Sequence, residues 1–225
     1  MLIAEDLLLL VTDDASGRLS APAAQVDAGL GGANLVELTL LNKVGLSGEQ
    51  DQGRPGRITV RDPSPPGDAV LDAALQVVGA HQGRKPSTVI RPLSKNLRQT
   101  LYQRLADSGV VRAERGRILG IFPDHRWPAQ DASHETEVRR LVTLALVQQA
   151  APDTRTAALI ALLHALKCEH KIVDPGQYGL SRRELGARAE EIAKGNWVSE
   201  AVRKVIQETT AAVLAATTAA TAGGG

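Results

Sequence analysis

Aromatic side chains make up only 2% of this 225-residue chain, one Phe, two Tyr and two Trp, although 43% of its residues are hydrophobic. Such a core must be built from Leu, Val, Ile and Ala, whose compact side chains favour close helix–helix contact. The expected fold is therefore mainly α-helical, and the length suits one compact domain. A single cysteine, Cys168, excludes an internal disulfide framework and a multi-cysteine zinc site, and it fits a reducing, cytoplasmic compartment.

The N-terminus places Glu5 and Asp6 where a secretory signal would carry positive charge, so the following Leu7 to Val11 run reads as a buried helix. The longest apolar run elsewhere, Ala157 to Leu166, contains His164 and falls short of the roughly 20 residues that span a bilayer. Membrane contact is expected to be peripheral.

Helical spacing predicts helices over Ala4 to Thr12, Asp27 to Leu41, Asp68 to Val78 and Ser94 to Ser108, with Asp68 capping the third. Further helices are expected near Ser133 to Ala150, Thr154 to Leu166, Ser181 to Ala193 and Asn196 to Ala216. His81 to Pro92 reads as a basic loop. Val110 to Phe122 reads as a β-hairpin turning at Glu114-Arg-Gly. One domain is expected over 1–216, followed by a low-complexity tail at 217–225 that frays.

Charge is nearly balanced overall, at +1, but it is unevenly placed. No acid occurs between Asp72 and Asp107, while Arg84, Lys85, Arg91, Lys95, Arg98 and Arg104 all fall there. That segregation predicts an anion-binding surface sensitive to ionic strength.

Four segments, in order and spacing, resemble the Golgi phosphoprotein 3 family. They are Glu5-Asp6-x-Leu8-Leu9-Leu10 with Asp14, Gly29-Leu30-x-Gly32-x-x-Leu35-x-Glu37-Leu38, Pro65-x-Gly67-Asp68-x-x-Leu71-Asp72-x-Ala74-Leu75, and Leu159-Ile160-x-Leu162-x-His164-Ala165. The resemblance implies a central hydrophobic helix surrounded by amphipathic ones, and a non-catalytic peripheral membrane adaptor binding phosphatidylinositol 4-phosphate. It also implies self-association through the 110–122 hairpin, an anionic phospholipid surface as partner, and a protein cargo. Abundant Ala, Gly and Arg suggest a GC-rich bacterial member.

In that family the head group is held by a tryptophan, an arginine in a Gly-Leu-Arg-Gly turn, and two arginines one helical turn apart. The resemblance places the pair at Lys95 and Arg98. Of the two, Arg98 is the stronger orienting group, because a guanidinium grips phosphate through parallel bonds whereas an ammonium acts as a point charge. The other two positions fall on Pro22 and Gly31 and are not matched, so general anionic-lipid binding is the expectation. Arg84, Lys85 and Arg91 are weaker candidates for replacement cations.

Two other functional classes fit parts of the sequence. A basic helix running into a hairpin bearing Arg112, Arg115 and Arg117 also describes a winged-helix-like DNA-binding regulator, but Leu97, Leu101 and Leu105 leave little exposed helix surface, and a paired upstream helix is not evident. Nucleic acid is thus the secondary expectation. An enzyme would rest on His164, Cys168 and His170, with His164 and Cys168 on one helical face as metal ligands or as a thiol and base. No carboxylate completes a facial site, Glu169 projects differently, and no phosphate-cradling glycine motif occurs, so neither catalysis, cofactor nor metal is expected. Trp127 and Trp197 read as packing residues ahead of membrane anchors.

Overall fold

The computed structural model describes residues 1–48, 54–118, 122–195 and 200–222. Among these the chain is mainly helical, with two small antiparallel pairs of strands. The first half contains α1 (Ile3–Leu10), α2 (Ala23–Leu40), β1 (Val44–Leu46), β2 (Ile58–Val60), α3 (Ala69–Ala80), α4 (Pro86–Ser94) and α5 (Leu97–Asp107). Then come β3 (Glu114–Ile118), β4 (Phe122–Arg126), α6 (Ser133–Val147), α7 (Thr154–Ala165), the short α8 (Glu169–Ile172), a 3-10 turn, α9 (Arg182–Lys194) and α10 (Glu200–Ala222).

The centre is aliphatic, as the composition requires. Every residue of α1 is buried, α2 is buried from Ala28 to Thr39, and α7 from Thr156 to Leu163. These helices approach closely because α2 offers glycines to three different neighbours. A Cβ on Gly29 would lie 2.7 Å from Leu166 just past α7, one on Gly31 2.5 Å from Ser94 Oγ of α4, and one on Gly32 2.6 Å from Val213 of α10. Each distance is shorter than real Cβ contacts, so a larger residue there would force the helices apart.

Caps set several boundaries. Asp68 accepts from the backbone N–H of Val70 and Leu71, as expected, and Ser181 forms a capping box with Glu184. α10 continues to Ala222, and Thr217 is buried beyond the expected helix end.

Three expectations need correction. Residues 86–94 are a helix, not a loop: Pro86, Val89, Ile90 and Leu93 repeat at i, i+3, i+4 and i+7 and are all buried. Pro86 suits the first helical position, where its missing N–H costs nothing, and Pro92 falls close enough to the end for the helix to survive it. The hairpin is shifted: Glu114–Ile118, expected to contain the turn, is itself a strand paired with Phe122–Arg126, while Val111 makes only an isolated bridge to Ala129. Finally, α5 begins at Leu97, because Asn96 takes a left-handed conformation with φ of 59° that interrupts helical continuity after Lys95. Among the described residues, no helix is long and apolar enough to cross a membrane.

Candidate functional site

The acid-free stretch of sequence is not acid-free in space. Arg104 pairs through Nε with Glu5 Oε1 at 2.9 Å and through Nη1 with Asp68 Oδ2 at 2.6 Å, tying α5 to α1 and to the start of α3. Arg98 Nε lies 3.1 Å from Asp27 Oδ1 of α2, with both side chains about one-third exposed. Burial pushes the Asp27 carboxyl above its usual range, and the Arg98 charge pulls it back. Two of the six cations are therefore already neutralised.

Arg84, Lys85, Arg91 and Lys95 are exposed and form no ion pair among the described residues. They run from the approach to α4 through its final turn to its end, forming a cationic strip. The three weaker candidates from sequence, Arg84, Lys85 and Arg91, are thus as available electrostatically as Lys95, and more so than Arg98.

Lys95 and Arg98 do not project from one helical face. Lys95 ends α4 and Arg98 sits in the first turn of α5, with left-handed Asn96 between them. They line separate clefts. Arg98 shares one of about 520 Å³ with Gly17, Arg18, Asp27, Gln99, Tyr102 and Trp127. Lys95 borders another of about 200 Å³.

The Arg98 cleft has a rigid aromatic wall. Tyr102 and Trp127 stack with ring centroids 4.9 Å apart and planes 3° from parallel, and Tyr102 Oη is 2.7 Å from Thr12 Oγ1. The Trp127 backbone N–H donates to the Gly17 carbonyl, which brings the 17–19 segment to the cleft rim. A cation beside stacked rings suits an anionic ligand with a flat or cyclic body. Trp127, Asp27 and Arg18 were not assigned here from sequence; proximity to Arg98 arises only through folding.

The two unmatched positions have different explanations. Gly31 is buried inside α2 against α4, where any side chain would meet Ser94 and the Ile90 carbonyl. Pro22 is the exposed N-cap of α2. Meanwhile the acids of the recognised segments are structural. Asp6 accepts from Arg155 Nη2 at 3.1 Å and lies 2.7 Å from His134 Nε2, while Glu37 accepts from Arg155 Nη1 at 2.8 Å and from the Ile3 N–H at 2.5 Å.

The possible enzymatic constellation is dispersed. α7 ends at Ala165 and Lys167 has a positive φ of 54°, so Cys168 does not continue the helical face of His164. Burial raises the Cys168 thiol away from thiolate formation. Contrary to its expected direction, Glu169 meets His164, Oε1 to Nδ1 at 3.3 Å, and this contact raises the imidazole. Among the described residues, no group of three or more His, Cys, Asp or Glu side chains is arranged to hold a metal.

For the DNA-binding arrangement, α4 supplies the upstream helix that the sequence did not reveal. Yet α5 carries only two cations, Arg98 and Arg104, and both face carboxylates. Its apolar face is buried through Leu97, Leu101, Tyr102 and Leu105. Trp197 lies outside the described residues.

Comparison with known proteins gives a consistent result. The model of the Golgi phosphoprotein 3 family matches residues 3–209. The chain is also similar to vacuolar protein sorting-associated protein 74 of Eremothecium gossypii, with 27% identity over 224 residues. That match covers 84% of this chain and 66% of the relative, so the chain spans slightly less than two thirds of the relative's length.

Proposed function

The chain belongs to the Golgi phosphoprotein 3 family, and from that premise we propose that it is a non-catalytic peripheral membrane adaptor on the cytoplasmic side of a membrane. Its ligand is an anionic phospholipid head group, phosphatidylinositol 4-phosphate or a close electrostatic equivalent. The observation carrying this reading is the strip of Arg84, Lys85, Arg91 and Lys95, four exposed cations without ion pairs among the described residues. Arg98, with Arg18 and the Tyr102–Trp127 wall, offers a second, shaped anion site once Asp27 is displaced.

Magnitudes favour several copies acting together. At roughly 1 kcal/mol per basic residue, four cations contribute about 4 kcal/mol, equivalent to about millimolar affinity. A monomer would leave such a surface quickly. Self-association through the β3–β4 hairpin would multiply the contacts, and a protein cargo bound by the membrane-held assembly would complete the adaptor role.

Liposome co-sedimentation tests this directly. Replacing Arg84, Lys85, Arg91 and Lys95 together with Glu should remove most binding at low salt, and extending the change to Arg98 should remove the rest. Asp27→Asn should strengthen binding to phosphatidylinositol 4-phosphate vesicles several-fold, because it weakens the carboxylate competitor of Arg98. Unchanged binding by the charge-reversed protein would sink the reading, as would exclusive binding to duplex DNA in a mobility-shift assay.

A further inference from the structure

Asp27 supplies the one carboxylate that lines the Arg98 cleft among the described residues. Its Oδ1 lies 3.1 Å from Arg98 Nε, a position that a phosphate oxygen would take on the guanidinium. Without ligand, the cleft therefore holds an anion of its own, and an external anion has to compete with it.

Two opposing forces act on that carboxyl. Burial raises its hold on a proton and the Arg98 charge lowers it, burial being the larger effect. The other charged residue of α2 is Glu37, which is paired with Arg155 at the far end of the helix. The charged or titratable groups that share the cleft with Asp27 are Arg98 and Tyr102 of α5 and Arg18 of the turn before α2. Burial pushes the Tyr102 phenol up, so it carries no charge at neutral pH. Arg98 is thus the neighbour that keeps Asp27 ionised.

An anion that takes over the guanidinium removes this support and sets a negative charge beside a partly buried carboxylate. Both changes favour protonation of Asp27. A protonated carboxyl no longer competes for Arg98, and its O–H can donate a hydrogen bond to the anion.

We propose that the Arg98 cleft captures an anionic head group together with one proton: phosphate oxygens displace Asp27 from Arg98, Asp27 takes a proton from solvent, and its O–H donates to the bound phosphate. Asp27 is then a binding residue as well as a competitor. The inference rests on the assignment of the Arg98 cleft as an anion site and adds that its affinity is linked to pH. Asp27 holds its proton more tightly with ligand bound, so binding is tightest at low pH and weakens as pH rises through the ligand-bound value. Ionisation of a phosphomonoester by itself would act in the opposite direction.

Inorganic sulfate is the probe, because it stays a dianion between about pH 4.5 and about pH 7.5 and any pH dependence then belongs to the protein. Nuclear magnetic resonance titration of the full chain, following the backbone amides of Arg98 and Gln99 and the indole of Trp127, reads this cleft separately from the cationic strip. Wild-type affinity should fall at least about fivefold across that range. Asp27→Asn, which keeps a donor and cannot titrate, should bind with nearly constant affinity. Asp27→Ala, which removes competitor and donor together, should also lose the pH dependence but bind at least about threefold more weakly than Asp27→Asn. Wild-type sulfate binding at Arg98 that is independent of pH would overturn the inference and leave the cleft standing as an anion site. A pH dependence that persists in Asp27→Asn, or equal affinities of Asp27→Ala and Asp27→Asn, would overturn it as well. No sulfate response at Arg98 at any pH would remove both the inference and the cleft, leaving the cationic strip as the membrane contact.

Discussion

Glu135 is 3% exposed at the start of α6, where it accepts from Arg139 Nη2 at 2.5 Å and shares a hydrogen bond with Asp14. Burial first, and then Asp14, push its carboxyl up to about 7, against the pull of Arg139. Because the folded protein keeps this proton more tightly than the unfolded chain, the associated stability is present at acid pH. It is lost as pH rises from about 4.5 towards 7 and is absent above that window. Glu135→Gln should remove this component of the pH dependence and raise stability at pH 8 by about 1–2 kcal/mol, read by chemical denaturation at pH 5 and pH 8. Gly31 makes a complementary case. Restoring the arginine implied by family resemblance would not rebuild a lipid pocket, since its Cβ would lie 2.7 Å from the Ile90 backbone carbonyl. Even Gly31→Ala should cost roughly 1–3 kcal/mol and lower the melting temperature. From sequence Gly31 reads as a missing ligand; in the fold it allows α2 and α4 to touch.

Among the elements, α3 was the most legible. Pro65 to Asp68 announces its start, and the Asp68 carboxylate receives two backbone N–H groups, a local effect fixed by neighbours in sequence. The same carboxylate then binds Arg104, a relation between helices that no local pattern reveals. Asp68→Ala should destabilise by about 1–2 kcal/mol, whereas Asp68→Asn should retain much of the cap while losing the charge partner, a difference measurable in thermal melts. The signal for α4 was present in the spacing of Pro86, Val89, Ile90 and Leu93, but two prolines and the basic composition suggested a loop. Its loss from the reading also obscured the break at Asn96, and with it the separation of Lys95 from Arg98. In the hairpin, strand type was legible but pairing register was not, because register depends on which residues meet across the turn.

At the scale of the whole molecule, α1, α2, α6 and α7 are tied together by a largely buried ionic cluster. Arg155 bridges Asp6 and Glu37, and also donates to the Met1 carbonyl at 2.5 Å, while His134 of α6 meets the other Asp6 oxygen. Removing the guanidinium would strand two buried carboxylates. Arg155→Met should therefore lower stability by roughly 2–3 kcal/mol after allowance for partial exposure of the arginine, with Glu37→Gln partly rescuing it in a double-mutant cycle. By contrast, the exposed cations should matter little to folding and strongly to membrane association. Liposome binding should weaken as ionic strength rises from about 0.05 to 0.5 M, because screening acts over about 10 Å at 0.1 M.

Composition and periodicity were sufficient by themselves to specify an aliphatic, mainly helical protein, most of its helices and the Asp68 cap, while the order of four short segments carried the family resemblance. These properties depend on side-chain volume and on neighbours within one or two turns. Tertiary structure decided which charges remain available: Arg98 reaches Asp27, Arg104 reaches Glu5 and Asp68, and Arg155 reaches Asp6 across a separation of 149 residues. It also moved Trp127 beside Tyr102 in the Arg98 cleft. Coulomb attraction and ring stacking act through space, so a basic stretch of chain becomes an anion site only where folding brings no carboxylate to meet it.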